Sequence, residues 1–585
     1  MTIPETLTLA RQHQQAGRLG EAETLYRQIL HAQPHHPEAH NNLGTVFYVQ
    51  GKLDDALAHY RQALALQPAY AEAHNNRGNI LRAQGKLDEA VACYRHALTL
   101  KPTHANAYYN LGLALREQDK LDEAVVCYRL ALALNPEDVD ALNNLGNVLK
   151  EMGNLDEALA CYRRVLALKP GLSKCHSSLL CAMSYAPSSN PGSVFAAHQN
   201  WNECHARPLA PLIGVHQNSR ASERRLRIGY VSADFGNHPI GSWMEPLLAA
   251  HRRPDVEIVC YSAGNQSDET ASRLEASADA WRAIANMNDD DVAHLVSGDQ
   301  IDILVDLSGH TTGHRLLMFA RKPAPIQVTY LGSLTTTGLS AMDYKLTDQF
   351  LTPPDSQEQF TEELIRLPGC FACYNAPSDA PNVTPLPSLR TGHVTFSSFN
   401  NPAKVTTQVV SVWSEILHAV PESRLMLKYW GFAEQGVQAR YRQLFAGYGI
   451  EANRLEFLPA TPFPGHLALY ERVDIALDPF PYNGCYTSSE ALWMGIPLIT
   501  LAGTMSYSRY GVTLLANLGL EELIATTPEE YVAKAVGLAK NRERLAALRH
   551  ELRSRMASSP VCDSGALAHA IEQAYRTMWR RWCTG

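Results

Sequence analysis

The sequence lacks the features that mark membrane, secreted and nucleic-acid-binding proteins. No apolar run approaches the ~18 residues of a membrane-spanning helix, and the first residues lack the basic stretch and apolar core of a signal peptide. Lys and Arg number 51 against 59 Asp and Glu, so no basic surplus favours nucleic acid or an anionic membrane as a partner. These absences predict a cytoplasmic protein with neither nucleic-acid nor membrane partners.

Cysteine and nucleotide motifs exclude further classes. The twelve cysteines do not form the two CxxC pairs of a structural zinc site, which predicts that most are buried free thiols in a reducing compartment. No GxGxxG follows a predicted strand and no GxxxxGK[ST] occurs, which argues against NAD-dependent oxidoreductases and P-loop nucleotidases. The length of 585 residues leaves room for about three to five domains.

Residues 1–170 repeat with a period of 34. Each unit has an alanine and a tyrosine in register and ends at a proline, and four units place a glycine before a short turn. Small residues let two helices approach closely and proline ends the second helix, so the pattern predicts five helical hairpins. The pattern resembles the tetratricopeptide repeat, which implies a superhelix with a long concave face. The repeated positions are Ala22, Ala56, Ala90, Ala124 and Ala158; Tyr26, Tyr60, Tyr94, Tyr128 and Tyr162; Gly44, Gly78, Gly112 and Gly146.

One asparagine recurs on the first helix of each complete unit: Asn42, Asn76, Asn110 and Asn144. A single asparagine would be a tolerated solvated residue. Four in register favour a row of carboxamides, which donate and accept hydrogen bonds and can hold an extended main chain without selecting its side chains. The predicted partner is a protein or peptide. Dimerisation of the chain is left open.

From Leu226 onward, short apolar runs alternate with segments of helical length. This pattern predicts two doubly wound α/β domains with parallel sheets, whose ligands bind at the carboxyl ends of the strands. The predicted regions are repeats over 1–170, a bridging helical segment over 171–225, Rossmann-like domains over 226–385 and 386–564, and a helix over 565–585 that packs back on them.

Four local clusters are candidate sites. His238 ends the first strand, where an imidazole suits proton transfer and the alternative is a loop histidine that caps backbone groups. Lys404 follows the first strand of the second domain and suits a diphosphate. His310 and His314 lack an obvious third metal ligand, and an acidic run at 289–291 is better interpreted as a helix start.

The segment 478–500 allows two interpretations of a helix that starts near Thr487. Thr487 and Glu490 have the spacing of a capping box. Alternatively, the free N–H groups and dipole of the helix amino end bind a phosphate, and Glu490 accepts hydrogen bonds from ribose hydroxyls. The physics alone favours neither.

Taken together, the asparagine-bearing repeats and the segments RLRIGYVSADFGNHP, RKPAPIQVTYLG, FNNPAK and DPFPYNG…EALWMGIPLIT resemble the O-linked N-acetylglucosamine transferases. The resemblance implies a GT-B glycosyltransferase that moves N-acetylglucosamine from UDP-N-acetylglucosamine to Ser or Thr hydroxyls of proteins, with inversion and without a metal or other cofactor. It implies that His238 is the general base and Lys404 the diphosphate contact. It also implies a nucleotide-sugar site formed by Asn401, Lys404, His466, Cys485, Tyr486, Thr487 and Glu490.

The sequence departs from the family pattern at three places. Cys485-Tyr486-Thr487 stands for a His-Thr-Thr, Ala403 for a tyrosine and Phe463 for a lysine near the base. Two alternatives therefore stay open: a peptide-binding scaffold with a degenerate catalytic region, and a transferase of the same fold with another sugar or an Asn acceptor.

Overall fold

The computed structural model describes residues 1–461 and 465–585, without the side chain of Trp430. Phe463, which stands where the family has a lysine near the uracil, lies outside the described residues. The chain forms two compact units, residues 1–152 and 153–585. Each unit is described separately, and the region bounds inferred from the sequence stay predictions.

The first unit consists of helical hairpins. A left-handed residue lies in the turn of each of the first four hairpins, with φ between 61° and 77°: Gly17, Gly51, Gly85 and Asp119. The helices are α1 (Ile3–Gln15), α2 (Leu19–Ala32), α3 (Pro37–Val49), α4 (Leu53–Leu66), α5 (Ala71–Ala83), α6 (Leu87–Leu100), α7 (Ala105–Glu117), α8 (Leu121–Leu134) and α9 (Val139–Glu151).

Contact between glycine and tyrosine sets the distance between the helices of a hairpin. A Cβ atom on Gly78 would lie 2.6 Å from the ring of Tyr94, and one on Gly44 would lie 2.8 Å from the ring of Tyr60. Both tyrosines are fully buried, so neither ring has room to move. The close approach predicted from the repeated glycines is therefore present in the hairpins.

The second unit begins with helices α10 (Leu155–Leu168), α11 (Ser173–Tyr185) and α12 (Pro191–Trp201). Trp201 is completely buried and its indole N–H donates to the main-chain oxygen of Ser173 at 3.2 Å. The segment predicted to bridge the repeats and the sheets is thus largely helical and packs around a buried tryptophan.

A seven-stranded parallel sheet follows, with strand order β3-β2-β1-β4-β5-β6-β7. Its central strands are buried on both faces, as expected for a sheet covered by helices on each side. The strands are β1 (Leu226–Ser232), β2 (Val256–Ser262), β3 (Ala280–Ala283), β4 (Ile303–Asp306), β5 (Ile326–Thr329), β6 (Tyr344–Asp348) and β7 (Glu363–Leu367); the helices are α13 (Pro239–Ala250), α14 (Glu269–Ser277), α15 (Asp289–Gly298) and α16 (Leu316–Phe319).

The second sheet has six parallel strands in the order β10-β9-β8-β11-β12-β13. Its strands are β8 (Thr395–Ser398), β9 (Arg424–Lys428), β10 (Leu455–Leu458), β11 (Ile475–Leu477), β12 (Leu498–Leu501) and β13 (Ile524–Ala525). Its helices are α17 (Ser388–Thr391), α18 (Thr407–Ala419), α19 (Gln435–Ala446), α20 (Gly465–Ala468), α21 (Tyr486–Trp493), α22 (Tyr510–Asn517), α23 (Pro528–Lys540) and α24 (Arg542–Ala557).

The last helix, α25 (Ser564–Thr584), returns to the first sheet. The hydroxyl of Tyr575 lies 3.2 Å from that of Tyr230 on β1, and Glu572 accepts a hydrogen bond from His251 at 2.9 Å. All four side chains are buried. No helix among the described residues combines the length and apolarity needed to cross a bilayer.

Candidate active site between the two sheets

In both sheets the order in which strands are added reverses at a central strand. The predicted site residues follow those two strands. β1 pairs with β2 on one side and β4 on the other, and β8 lies in the same way between β9 and β11. Such a reversal opens a crevice at the carboxyl ends of the strands, where ligands of these sheets bind. The loop with His238 follows β1, and the loop with Lys404 follows β8.

A ring contact joins helix α13, which follows the His238 loop, to helix α21. Trp243 on α13 lies with its ring centre 6.1 Å from that of Tyr486, the first residue of α21. The start of α13, which His238 caps, and the start of α21 are therefore close together.

Lys404 lies in a short 3-10 turn with its ammonium directed at the loop before α21. Its Nζ donates to the main-chain oxygen of Asn483 at 2.7 Å and lies 3.5 Å from Oδ1 of Asn400. The ammonium also lies 4.7 Å from the centre of the Tyr482 ring. Burial lowers the pKa of Lys404, while the nearby Cys485 and Asp478 act in the opposite direction. The result is a cation held by main-chain and aromatic contacts at the amino end of a helix.

The capping-box interpretation of Thr487 is wrong. The helix begins at Tyr486 with Cys485 as its N-cap, and no side chain caps it. Thr487 Oγ1 donates to Oδ1 of Asn400 at 3.3 Å, while Glu490 bonds to a histidine outside the helix. The first-turn N–H groups of a helix have no acceptor within the helix, so this end suits an anion.

Asn400, which the sequence analysis missed, lies between Lys404 and Thr487. The predicted Asn401 instead caps the 3-10 turn, because its Oδ1 accepts from the N–H of Ala403 at 2.9 Å. Asn401 therefore shapes the loop that carries Lys404.

Asp478 is a buried carboxylate at the end of β11 that fixes the turn before α21. Its Oδ1 accepts from the N–H of Gly484 at 2.6 Å and from Ser488 Oγ at 3.3 Å, and its Oδ2 accepts from Thr500 Oγ1 at 2.7 Å. Burial raises the pKa of Asp478 to about 6, against the effect of these hydrogen bonds and of Lys404.

Glu490, His466 and Lys428 form a hydrogen-bonded chain beside α21. Nε2 of His466 lies 2.9 Å from Oε2 of Glu490, and Nδ1 of the same ring lies 2.8 Å from Nζ of Lys428. All three side chains are buried. The ring of Phe399, at the end of β8, lies 5.9 Å from that of His466. The predicted pair Glu490 and His466 is thus brought together, with a lysine that the sequence analysis did not single out.

His238 caps helix α13. Its Nδ1 accepts from the N–H of Ile240 at 3.3 Å, so a neutral ring carries its proton on Nε2. Oδ2 of Asp234 lies 3.9 Å from the same nitrogen. Burial lowers the pKa of His238, and Asp234 partly offsets this effect. The role of His238 as a base stays a prediction.

A small cavity lies between helix α11 and Tyr482, the residue whose ring contacts the Lys404 ammonium. Its volume is about 60 Å³, enough for a few waters. The rings of Tyr185 and Tyr482 lie 4.7 Å apart and that of Tyr507 stacks on Tyr482 at 5.4 Å. The other polar residues that line it are Cys181, Ser184, His198, His310, Thr311, Ser333 and Thr335.

The rings of His310 and His314 contact the buried ring of Trp201, with centres 5.0 Å and 6.1 Å from it. Nδ1 of His310 lies 3.1 Å from Ser177 Oγ, and its Nε2 lies 2.8 Å from the main-chain oxygen of Thr337. The acidic run 289–291 forms the first turn of α15, and Arg315 and Arg321 pair with two of its members. Within 1–461 and 465–585, no group of three His, Cys, Asp or Glu side chains is arranged to hold a metal ion.

The repeated asparagines connect neighbouring hairpins in the first unit. Asn76 Nδ2 donates to Oδ1 of Asn41 at 3.0 Å, and Asn110 Nδ2 donates to Oδ1 of Asn75 at 2.9 Å. Asn144 donates in the same way to the hydroxyl of Tyr109 at 3.2 Å. A carboxamide has two N–H groups and two lone pairs, so these bonds leave capacity for a ligand. Peptide binding by this row stays a prediction.

The fold defines a class: an α-helical repeat protein with two Rossmann-like domains. The model of glycosyl transferase family 41 matches residues 205–376 and 386–571, and tetratricopeptide repeat models match segments within residues 7–172. The chain belongs to glycosyl transferase family 41. The predicted family and fold class are confirmed.

Curated relatives and a solved structure agree with this assignment. The chain is 40% identical over 411 residues to the probable UDP-N-acetylglucosamine–peptide N-acetylglucosaminyltransferase SPINDLY of Arabidopsis thaliana, a match over 69% of this chain and 45% of the relative. It is 34% identical to the probable UDP-N-acetylglucosamine–peptide N-acetylglucosaminyltransferase SEC of the same plant, over 65% of this chain and 39% of the relative. The chain spans less than half the length of these relatives.

The solved structure is a mutant of the O-GlcNAc transferase of Thermobaculum terrenum. It superposes with a TM-score of 0.81 at 37% identity, over 88% of this chain and 98% of that one.

Proposed function

We propose that the protein transfers N-acetylglucosamine from UDP-N-acetylglucosamine to Ser or Thr hydroxyls of proteins, with inversion and without a metal. The observation that carries this proposal is the position of Lys404, which lies at the amino end of α21. The first residue of α21, Tyr486, in turn contacts Trp243 on α13, the helix that follows the His238 loop. The relatives named as peptide N-acetylglucosaminyltransferases support the choice of donor and acceptor.

The two ends of the crevice suit the two parts of UDP. Lys404 and the first turn of α21 provide positive charge for the diphosphate, which is the role a metal has in other transferases. The buried carboxylate of Glu490 accepts a hydrogen bond from His466 through one oxygen and has acceptor capacity left for ribose hydroxyls. The cavity beside Tyr482 adjoins the diphosphate end, and we assign it to the sugar, which requires Tyr185 and Tyr482 to move apart.

In the proposed reaction the acceptor hydroxyl oxygen attacks the anomeric carbon as the bond from that carbon to the β-phosphate oxygen breaks. UDP leaves with the bonding electrons, stabilised by Lys404 and the amino end of α21. The hydroxyl proton passes to His238. For Nε2 to receive it, the ring must carry its other proton on Nδ1 and release Ile240, and Asp234 is the nearby acceptor for that Nδ1–H.

We assign the acceptor protein to the repeats. The row of Asn42, Asn76, Asn110 and Asn144 offers main-chain hydrogen bonds that do not depend on sequence. Binding the acceptor on the same chain as the donor makes transfer an effectively intramolecular step.

The test is transfer from UDP-N-acetylglucosamine to a cell extract, read by mass spectrometry with fragmentation to locate the modified residue. We expect the mass of one N-acetylhexosamine on Ser or Thr, unchanged in EDTA, and a β-linked product by NMR. Modification of Asn, or transfer only from another nucleotide sugar in a parallel panel, identifies the same-fold alternative. Calorimetry that detects no UDP binding identifies the scaffold and refutes the enzyme.

A further inference from the structure

Lys428 is a buried lysine at the carboxyl end of β9, next to the strand that carries the Lys404 loop. Its Nζ lies 2.8 Å from Nδ1 of His466 and 5.8 Å from the centre of the Phe399 ring. Burial lowers the pKa of Lys428, and Glu490 acts against this effect. Lysines are almost never buried without a partner, so this position calls for an explanation.

The side chains of Lys428, His466 and Glu490 fix the direction of the hydrogen bonds between them. An ammonium group only donates and an ionised carboxylate only accepts. His466, which lies between Lys428 and Glu490, must therefore accept at Nδ1 and donate from Nε2. The result is a neutral ring in a single tautomer, with its N–H directed at Oε2 of Glu490.

We propose that Lys428 is a positioning residue for the ribose of the donor: it acts through His466 to orient the carboxylate of Glu490. Without the Lys428 donor at Nδ1, the tautomer that donates from Nε2 to Glu490 loses its stabilising contact, and Glu490 is oriented less strongly. This inference rests on the proposed nucleotide-sugar donor. It assigns Lys428 no contact with the base or the diphosphate.

The experiment compares two probes, UDP and 2′,3′-dideoxy-UDP, by calorimetry on the full chain. If Glu490 binds the ribose hydroxyls, the wild type should bind UDP about tenfold more tightly than the dideoxy probe. Lys428→Met should reduce the UDP affinity by about the same factor and leave the dideoxy affinity within about twofold, so the preference disappears. Lys428→Gln keeps a neutral N–H donor and should retain most of the preference. The exposed Lys540→Met is the matched control.

A double-mutant cycle tests whether Lys428 acts through Glu490. Glu490→Gln alone should abolish the ribose preference, and adding Lys428→Met should cause no further loss. The inference is overturned if Lys428→Met keeps the preference, or if it weakens both probes equally. Wild-type protein that binds neither probe refutes the donor itself, whereas intact UDP binding with an unaffected Lys428→Met variant refutes only this inference.

Discussion

Nζ of Lys404 donates to the main-chain oxygen of Asn483 at 2.7 Å, which joins the loop after β8 to the loop after β11. The same ammonium lies over the ring of Tyr482, so it contacts two consecutive residues of the loop that leads into α21. The cation proposed to bind the diphosphate is thus also part of the structure that presents the helix end.

Replacement of Lys404 by Met removes the charge and keeps the length of the side chain. We expect the turnover of UDP-N-acetylglucosamine to fall by about 10² to 10³, because the leaving diphosphate loses a direct charge partner. UDP affinity should fall as well, while acceptor peptides bind the repeats as before. Steady-state kinetics and calorimetry measure these changes, with Lys540→Met as the exposed control. Full turnover in the Lys404 variant would disprove the diphosphate role.

Gly484 is the tightest point of the turn before α21. A Cβ atom there would lie 2.4 Å from Ser488 Oγ and 3.0 Å from Oδ1 of both Asn400 and Asp478. Gly484→Ala should therefore displace the groups that present the helix end, weaken UDP binding by about tenfold or more and lower stability by about 1–3 kcal/mol. Calorimetry and thermal unfolding measure the two effects.

The control for this substitution is Gly537→Ala on α23, where an added Cβ meets nothing within 4 Å. It should leave UDP affinity unchanged and raise stability by up to about 1 kcal/mol, because alanine is the better helix former. If both variants bind UDP normally, the turn does not form the diphosphate site.

Much of the architecture follows from local sequence, whereas the details of the site depend on packing. The period of 34 and the buried strands predict the hairpins and both parallel sheets, because helix and strand periodicity are local. The role of Lys428 is not local: the segment ending at Lys428 resembles any strand with a terminal lysine, and only the neighbouring β8 and α20 give it Phe399 and His466 as partners. The available signal was a lysine as the last residue of a strand with an apolar interior.

The capping-box interpretation failed for a similar reason. Thr487 and Glu490 have the correct spacing, but helix α21 begins at Tyr486, so both lie inside it and bond to Asn400 and His466. Hydrogen bonds to residues distant in sequence form in place of the local cap. The two adjacent asparagines show the opposite outcome for Asn401, which makes a local cap to Ala403. Its neighbour Asn400 makes the long-range contact to Thr487.

The asparagine row should contribute to both peptide binding and the stability of the first unit. Asn76 and Asn110 each donate a hydrogen bond to the preceding repeat, so replacing both by Ala should cost about 1 kcal/mol per bond. Peptide affinity, measured by fluorescence anisotropy, should fall severalfold, and UDP affinity should not change. The exposed Asn106→Ala on α7 is the control. Unchanged peptide affinity in the double variant would limit the row to a structural role.

The buried histidines of the second unit predict a loss of stability in acid. Nδ1 of His176 lies 3.1 Å from Nε2 of His205, and burial, reinforced by His205 and His198, lowers the pKa of His176 to about 4. Burial lowers the pKa of His198 and of His314 to about 4 as well. Between about pH 6.5 and pH 4 the unfolded chain therefore binds more protons than the folded protein. The stabilisation is complete above pH 6.5 and is lost as the pH falls toward 4.

Denaturant unfolding of the second unit across this range should show the free energy of unfolding decreasing steadily with falling pH. His176→Gln keeps a hydrogen-bonding side chain but does not titrate, so the slope should become shallower while His198 and His314 maintain part of it. The exposed His569→Gln on α25 should leave the slope unchanged. A slope that is identical in wild type and His176→Gln would show that the contact between His176 and His205 does not control acid stability.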